Sequence, residues 1–137
     1  MNTASSEPFP IAEPRELFKT AHLKCFIECG GYDMLQSPAK MTAFSSEDDC
    51  FVTIFPGKRR IYRFDRFGAL CDKFTSDAVP LCITWSKDLC EYFIGYNDYH
   101  IGRYDTCLKA VGRLPVPDKF EPRQLVCCGG HIYVSDL

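Results

Sequence analysis

The sequence lacks a strong excess of charge and a long hydrophobic run, and its first residues lack the pattern of a signal peptide. Its 137 residues carry a formal net charge of -2, so no overall field attracts nucleic acid or acidic membranes, and any such attraction must be local. No run of about 18 apolar residues is present, which argues against a transmembrane helix. The N-terminal MNTASSEPFP lacks the charged and then apolar segments of a signal peptide. A cytoplasmic protein without a membrane partner is therefore expected.

The cysteines lack the spacing of a disulfide framework or of a zinc site. They number nine, an odd count, and they are spread through apolar runs. Cys25 and Cys29 have no second pair at zinc-finger spacing, and Cys127 and Cys128 are adjacent. Reduced thiols that pack as small hydrophobic side chains are the prediction. Neither a metal site nor another cofactor is predicted.

Aromatic residues and a regular repeat are what the sequence does have. Aromatics make up 14% of the chain, with 11 Phe and 7 Tyr, and such a composition favours strands. Pro38, Pro80 and Pro122 follow one another at intervals of 42 residues. Each proline is followed three positions later by a large aliphatic side chain, and these equivalent core residues are Met41, Ile83 and Leu125.

A second set of matches lies between the prolines. Ile61-Tyr62-Arg63-Phe64-Asp65 recurs 40 residues later as Ile101-Gly102-Arg103-Tyr104-Asp105, and a two-residue difference in the intervening turn would explain the shorter interval. Turn residues divide each unit into four short strands. The predicted strands, from the innermost outward, are 41–44, 51–55, 60–65 and the Leu70 segment in one unit, and 81–85, 92–96, 100–105 and the Leu108 segment in the next.

A period of 40–42 residues with four strands in each unit is typical of a β-propeller blade. The prediction is an all-β fold, a partial β-propeller of about two to three four-stranded blades. Residues 1–19 are expected to be a flexible N-terminal tail. The propeller segment would span 20–137, with an outer strand at 20–37, blades at 38–79 and 80–121, and a partial blade at 122–137. Self-association through open blade edges is also expected.

Several segments resemble the NHL-repeat propellers. Gly130-His131-Ile132-Tyr133-Val134-Ser135-Asp136 is similar to their G-x-I-Y-V-x-D strand, and Arg60 to Gly68 resembles their R-I-x-x-F-D-x-x-G segment. Asn97 to Asp105 matches a third version, with His100 where Arg is usual. Phe55-Pro56-Gly57 departs from the family pattern. The resemblance implies a propeller segment of the kind found in tripartite-motif NHL proteins, which act in post-transcriptional regulation or as ubiquitin ligases and bind RNA or proteins on one rim.

The candidate binding residues cluster in two turns. Five of the 16 basic residues and three aromatics lie between Gly57 and Phe67, a mixture that suits phosphates and unpaired bases. Because strand side chains alternate between faces, the turn residues are better candidates than Arg63. The predicted partner-binding residues are Lys58, Arg59, Arg60, Tyr62, Arg63, Tyr99 and His100. The alternative is a solvated charged turn in which Arg63 pairs with a carboxylate and both Tyr96 and Tyr99 cover the blade edge.

No catalytic residue is predicted, and the chain is not expected to be an enzyme. A hydrolase or lyase site in the axial channel would need His22, His100 and His131 to converge, and no ligand pattern supports this. Trp85, the only tryptophan, is expected to pack between blades. A non-catalytic module that binds protein, RNA or both is therefore predicted, and a purely structural scaffold is the alternative.

Overall fold

The computed structural model describes residues 40–136, and within this range it contains ten β-strands and no α-helix. The predicted tail and the predicted outer strand at 20–37 lie outside the described residues. The strands are β1 (Met41–Ser45), β2 (Cys50–Phe55), β3 (Arg60–Phe64), β4 (Leu70–Thr75), β5 (Pro80–Ser86), β6 (Glu91–Tyr96), β7 (His100–Tyr104), β8 (Ala110–Leu114), β9 (Gln124–Cys128) and β10 (His131–Ser135). The all-β prediction is confirmed.

The strands form three antiparallel sheets, each of which runs through its strands in sequence order. Blade 1 is the sheet β1–β4, blade 2 is β5–β8, and blade 3 is the pair β9–β10. The first strands lie side by side, β1 against β5 and β5 against β9. Consecutive propeller blades pack in this way. The described residues form two four-stranded sheets and one two-stranded sheet.

Apolar side chains fill the two spaces between consecutive blades. Between blades 1 and 2, Val52, Ile54 and Ile61 pack against Tyr92 and Ile94, and all five are fully buried. A second cluster, between blades 2 and 3, contains Cys82, Phe93, Ile101 and Leu125. Both faces of blade 2 are therefore covered, which explains why β5 and β6 read as nearly continuous apolar runs. No helix of residues 40–136 is long and apolar enough to cross a membrane.

The strand register corrects the predicted equivalence of Met41 with Ile83. Met41 lies opposite Ile54, and the residue in the same place of blade 2 is Cys82, which lies opposite Gly95. A β-bulge between Pro80 and Cys82 adds one residue to β5, and the turn after β6 is one residue shorter than the turn after β2. Equivalent residues of the first strands, such as Met41 and Cys82, are therefore 41 positions apart, and the shorter turn lowers the interval to 40 at Ile61 and Ile101. Ile83 and Leu125 are buried as predicted.

The outermost strand predicted in the Leu108 segment is present, but it begins two residues later than expected because Leu108 itself lies in a turn. Leu108 is buried and has φ of 62°, and β8 begins only at Ala110. The equivalent residue in blade 1 is Gly68, with φ of 87°. Burial of the Leu108 side chain in the core between blades 1 and 2 offsets the cost of a leucine in the left-handed conformation, which is roughly 1–2 kcal/mol.

Candidate functional site

Turns at the two ends of the strands form two opposite rims. The Lys58 rim consists of the Pro56–Arg59 turn, the Ser76–Val79 connection and the Asn97–Tyr99 turn. The Asp48 rim consists of the turns at 46–49, 65–69, 87–90 and 105–109. Antiparallel hairpins alternate between these ends, so residues a few positions apart in sequence can lie on opposite rims.

The Pro56–Arg59 turn presents Lys58 and Arg59 to solvent. Residues 56–58 form one 3₁₀ turn with the proline in its first position, and Arg59 ends it with φ of 52°. The Arg59 guanidinium donates to the backbone oxygen of Asp77 at 3.0 Å, and the Arg59 carbonyl accepts from the backbone N–H and hydroxyl of Ser76. The turn is thus tied to the connection that leads into blade 2.

The Asn97–Tyr99 turn places an aromatic ring on the same rim. Asn97 exchanges backbone and side-chain hydrogen bonds with Val79, each 3.0 Å long, so this turn is fixed to the same connection. Tyr99 is 49% exposed and has φ of 63°. It occupies the position that Arg59 occupies in blade 1, immediately before the third strand. The structure therefore brings the basic turn and Tyr99 to one rim.

His100 begins β7 beneath Tyr99 and is partly buried. Its ring stacks on that of Tyr96 with centroids 4.6 Å apart, and its Nδ1 contacts the Asp98 carboxylate. The ring is therefore stacked on one side and held by a carboxylate, and His100 stabilises the Asn97–Tyr99 turn. Little of its ring is exposed to a binding partner.

Arg60 and Tyr62 lie on the face of blade 1 that points away from blade 2. The Arg60 guanidinium donates to the Tyr62 hydroxyl at 3.3 Å. Tyr62 is buried in an aromatic cluster with Phe55 and Phe64. A cavity of about 310 Å³ between Arg60, Tyr62 and Lys73 opens on this face. These two predicted site residues are therefore neighbours of the Lys58 rim, with Tyr62 largely enclosed.

Arg63 lies near the opposite end of β3 and is held by carboxylates. Its guanidinium donates to Asp72 at 2.7 Å and to Asp48 at 3.4 Å. Asp48 belongs to the Asp48 rim, so Arg63 is separated from Lys58 and Arg59 by the length of the strand. The alternative in which Arg63 pairs with a carboxylate is what the structure shows, and the preference for the turn residues over Arg63 agrees with its position.

A polar cleft between blades 1 and 2 opens on the Lys58 rim, and sequence reasoning missed most of it. Its volume is about 370 Å³, and its lining includes Asp77, Tyr96, Tyr104 and Arg113. The Tyr96 and Tyr104 hydroxyls are hydrogen-bonded at 2.5 Å. Tyr104 folds back over Gly102, where an added Cβ would lie 2.8 Å from the ring. The sequence did contain a signal for this arrangement. Gly102 lies two positions before Tyr104, so both residues face the same side of the strand, and the glycine leaves room for the ring.

Burial controls the ionisation of the tyrosine pair. The pKa of Tyr96 is raised above its ordinary value by burial first, and then by its interaction with Tyr104. Burial also raises the pKa of Tyr104, although the hydrogen bond between Tyr104 and Tyr96 and the charge of Arg113 oppose that rise. Both phenols therefore stay protonated at neutral pH and offer hydrogen bonds, not charge, to the cleft.

The two rims differ in charge. The turn at 46–49 on the Asp48 rim carries Glu47, Asp48 and Asp49 and no basic residue, whereas Lys58 and Arg59 occupy the first turn of the Lys58 rim. A polyanion is repelled by the acidic turn at 46–49 and attracted by the basic Pro56–Arg59 turn. The Lys58 rim combines exposed cations with an exposed aromatic ring on adjoining turns. The Asp48 rim also has such a pair, Arg66 over the exposed ring of Phe67, but there the cation is paired with Asp49 of the acidic turn.

The described histidines do not converge. His100 begins β7 on the Lys58 rim, whereas His131 begins β10 after a turn on the side of the Asp48 rim. Within residues 40–136, no group of three His, Cys, Asp or Glu side chains is arranged to hold a metal ion. His22 lies outside the described residues.

No protein-family model matches the chain, and no curated protein matches it either. The resemblance to NHL repeats therefore stays a prediction. The structure itself defines an all-β fold of antiparallel sheets.

Proposed function

We propose that this chain is a non-catalytic, NHL-like binding module that contacts single-stranded RNA through the Lys58 rim. The observation that carries the proposal is the placement of Lys58 and Arg59 on the same rim as the exposed ring of Tyr99. Cations neutralise phosphates, and an aromatic ring stacks on an unpaired base. A cytoplasmic role in post-transcriptional regulation fits this chemistry.

Three features support RNA over a purely structural role. The two turns are fixed to one connection by hydrogen bonds from Arg59 and Asn97, so the surface is preorganised and little entropy is lost on binding. The acidic turn lies on the other rim, which leaves one side of the module open to a polyanion. The cleft between blades 1 and 2 adds the side chains of Tyr104 and Arg113 to its lining, which suit hydrogen bonds to a polar partner. A protein partner for the rim is the second possibility, and the experiment below separates it from RNA.

Fluorescence anisotropy with a labelled, degenerate single-stranded RNA tests the proposal. We expect binding whose affinity falls steeply with salt. The double variant K58E/R59E should lose most of that affinity and reduce the salt slope by about 2, because each phosphate contact contributes roughly one unit. Tyr99→Ala should weaken binding by about 1–3 kcal/mol with little change in slope, as expected for lost stacking.

The matched control is K87E/K109E, which makes the same charge change on the opposite rim. Both lysines are exposed, and this variant should bind RNA about as well as the unaltered chain. Equal losses in the two double variants would show that only net charge matters, and the rim assignment would be wrong. No binding by the unaltered chain at low salt would rule out RNA and leave a protein partner or a scaffold role.

A further inference from the structure

Blade 2 carries tyrosines at two positions where blade 1 carries phenylalanines. The cross-strand register aligns Tyr96 with Phe55 and Tyr104 with Phe64. Both phenylalanines are buried in an aromatic cluster of blade 1. A ring without a hydroxyl therefore suits the fold at these positions, and packing alone does not explain the two phenol hydroxyls of blade 2.

A glycine accompanies the two tyrosines. Gly102 lies in the place that Tyr62 occupies in blade 1. The Tyr104 ring lies over Gly102, in the space that a side chain would fill, and from there its hydroxyl reaches that of Tyr96. The phenol pair therefore depends on three residues that differ from their equivalents in blade 1.

The phenol pair has one donor more than it uses itself. Each hydroxyl carries one hydrogen, and the Tyr96 and Tyr104 hydroxyls share one hydrogen bond. The second hydrogen is therefore available to another acceptor. Both tyrosines line the cleft between blades 1 and 2, and Tyr96 is only 1% exposed. Because a buried donor without an acceptor is unfavourable, a ligand that offers an acceptor in this cleft is favoured.

Two charged side chains of opposite sign also line the cleft. They are Asp77 and Arg113, and within residues 40–136 neither the Asp77 carboxylate nor the Arg113 guanidinium forms a hydrogen bond or an ion pair. The remaining charged groups of the lining, Asp98 and His100, are paired with each other. The cleft thus offers a guanidinium, a phenol hydrogen and a carboxylate, and the charges of the first and the last cancel. A neutral ligand with both acceptors and donors matches this set.

The cleft adjoins the Lys58 rim. Asp77 belongs to the Ser76–Val79 connection, and its backbone oxygen accepts a hydrogen bond from Arg59. Asp98 belongs to the Asn97–Tyr99 turn. Both turns that are proposed to contact RNA are therefore direct neighbours of the cleft.

We propose that the cleft between blades 1 and 2 binds a guanine base, supplied either by RNA on the Lys58 rim or by a free nucleotide. Guanine presents two neighbouring acceptors, O6 and N7, to a guanidinium fork such as that of Arg113. It also presents two neighbouring donors, N1–H and the exocyclic amino group, to a carboxylate such as that of Asp77. Adenine has an amino donor where guanine has O6, so it would place a donor against the guanidinium.

The size of the cleft agrees with such a ligand. Its volume of about 370 Å³ lies in the range of small-ligand sites. The RNA source of the base rests on the proposed function, whereas the free-nucleotide source does not. The two sources are therefore tested separately.

Isothermal titration of the full 137-residue chain with guanosine monophosphate tests the cleft itself. We expect one site, and about 10-fold or more weaker binding of adenosine monophosphate, because a bidentate arginine contact discriminates between bases to this degree. Arg113→Lys keeps the charge but loses the fork, and it should abolish this preference. Tyr104→Phe, which introduces the residue type of blade 1, should weaken guanosine monophosphate binding by roughly 3–10-fold. Tyr133→Phe removes a phenol hydroxyl outside the cleft and is the matched control, with no change expected. Circular dichroism establishes that each variant is folded.

Fluorescence anisotropy with two labelled strands, one all-uridine and one with a single central guanosine, separates the two sources. Tighter binding of the guanosine strand that is lost in Arg113→Lys assigns the base to RNA. Binding of guanosine monophosphate without binding of either strand assigns it to a free nucleotide, and it refutes RNA binding at the rim without affecting the cleft. Equal binding of both strands, together with no preference for guanosine over adenosine monophosphate, would overturn the inference and leave the proposed RNA function intact. A guanine preference that survives both Arg113→Lys and Tyr104→Phe would overturn it as well, because the base would then bind elsewhere.

Discussion

A close approach between Gly95 of blade 2 and Pro122, which precedes blade 3, predicts that Gly95→Ala destabilises the fold. Gly95 lies in β6 opposite Cys82, and an added Cβ would lie 2.6 Å from the Cys82 Sγ and 2.8 Å from the Pro122 carbonyl oxygen. Neither atom is the free end of a flexible chain, because the Cys82 thiol donates to that carbonyl at 3.2 Å. One of the two blades must therefore shift.

The expected cost follows from two opposing effects. Inserting a methyl group into a packed contact costs about 1–3 kcal/mol. Replacing glycine with alanine also restricts the unfolded chain, which stabilises by about 0.4–1 kcal/mol where the backbone is compatible. The net expectation is a loss of about 1–2 kcal/mol, and each kcal/mol lowers the Tm by roughly 3–5 °C for a chain of 137 residues.

Gly112→Ala isolates the packing effect. Gly112 lies in β8, and its added Cβ would be 3.6 Å from the nearest atom, the Arg103 guanidinium, which is an ordinary contact. Thermal and urea unfolding followed by circular dichroism should show an unchanged or slightly raised stability for this variant. Equal stabilities for the two variants would contradict the described contact between blade 2 and Pro122.

Two further predictions concern the cores between the blades. Ile83→Ala should lower the free energy of unfolding by about 2–5 kcal/mol, because Ile83 is buried between blades 1 and 2; a loss below about 1 kcal/mol in urea unfolding would place it outside that core. Burial raises the pKa of the Cys82 thiol to about 11 from 9.0, so the unfolded chain loses this proton first and stability should fall between about pH 9 and 11. In the Cys82→Ala variant, the urea unfolding midpoint should change less with pH in that window. The same dependence of the midpoint on pH in both proteins would show that Cys82 does not contribute.

The strands could be predicted from the sequence because the repeat and the alternation of apolar residues act together. The period placed the turns, and the apolar runs at Leu81–Trp85 and Tyr92–Tyr96 indicated strands with both faces covered. These features depend on local residue patterns. The assignment of the inner and third strands, at β5 and β7 for example, therefore matches the structure within one or two residues.

The register could not be read from the same pattern. The bulge at Leu81 changes which residue lies opposite Gly95, and nothing in Pro80-Leu81-Cys82 distinguishes a bulge from a regular strand before the partner strand is known. Tertiary packing also decided the conformation of Leu108, whose burial overrides the preference for glycine at a positive φ. The cleft residues Tyr104 and Arg113 were missed because they come from different strands that only the sheet brings together.

The residues that carry the family resemblance are mainly turn-forming residues. Asp65 accepts hydrogen bonds from the backbone N–H groups of Phe67 and Ala69, both at 2.9 Å. Asp105 accepts from Cys107 and Lys109 at the same distance.

A carboxylate that holds two backbone N–H groups is required by this turn whatever the module binds. The repeated F-D or Y-D pair therefore supports the fold and says little about a ligand. The residues proposed to contact RNA lie instead in the turns after β2 and β6, which differ in length and sequence between the blades. Because the Asp65 and Asp105 turns share their length and the carboxylate that closes them, whereas the turns after β2 and β6 do not, partner choice is expected to depend on Lys58, Arg59 and Tyr99.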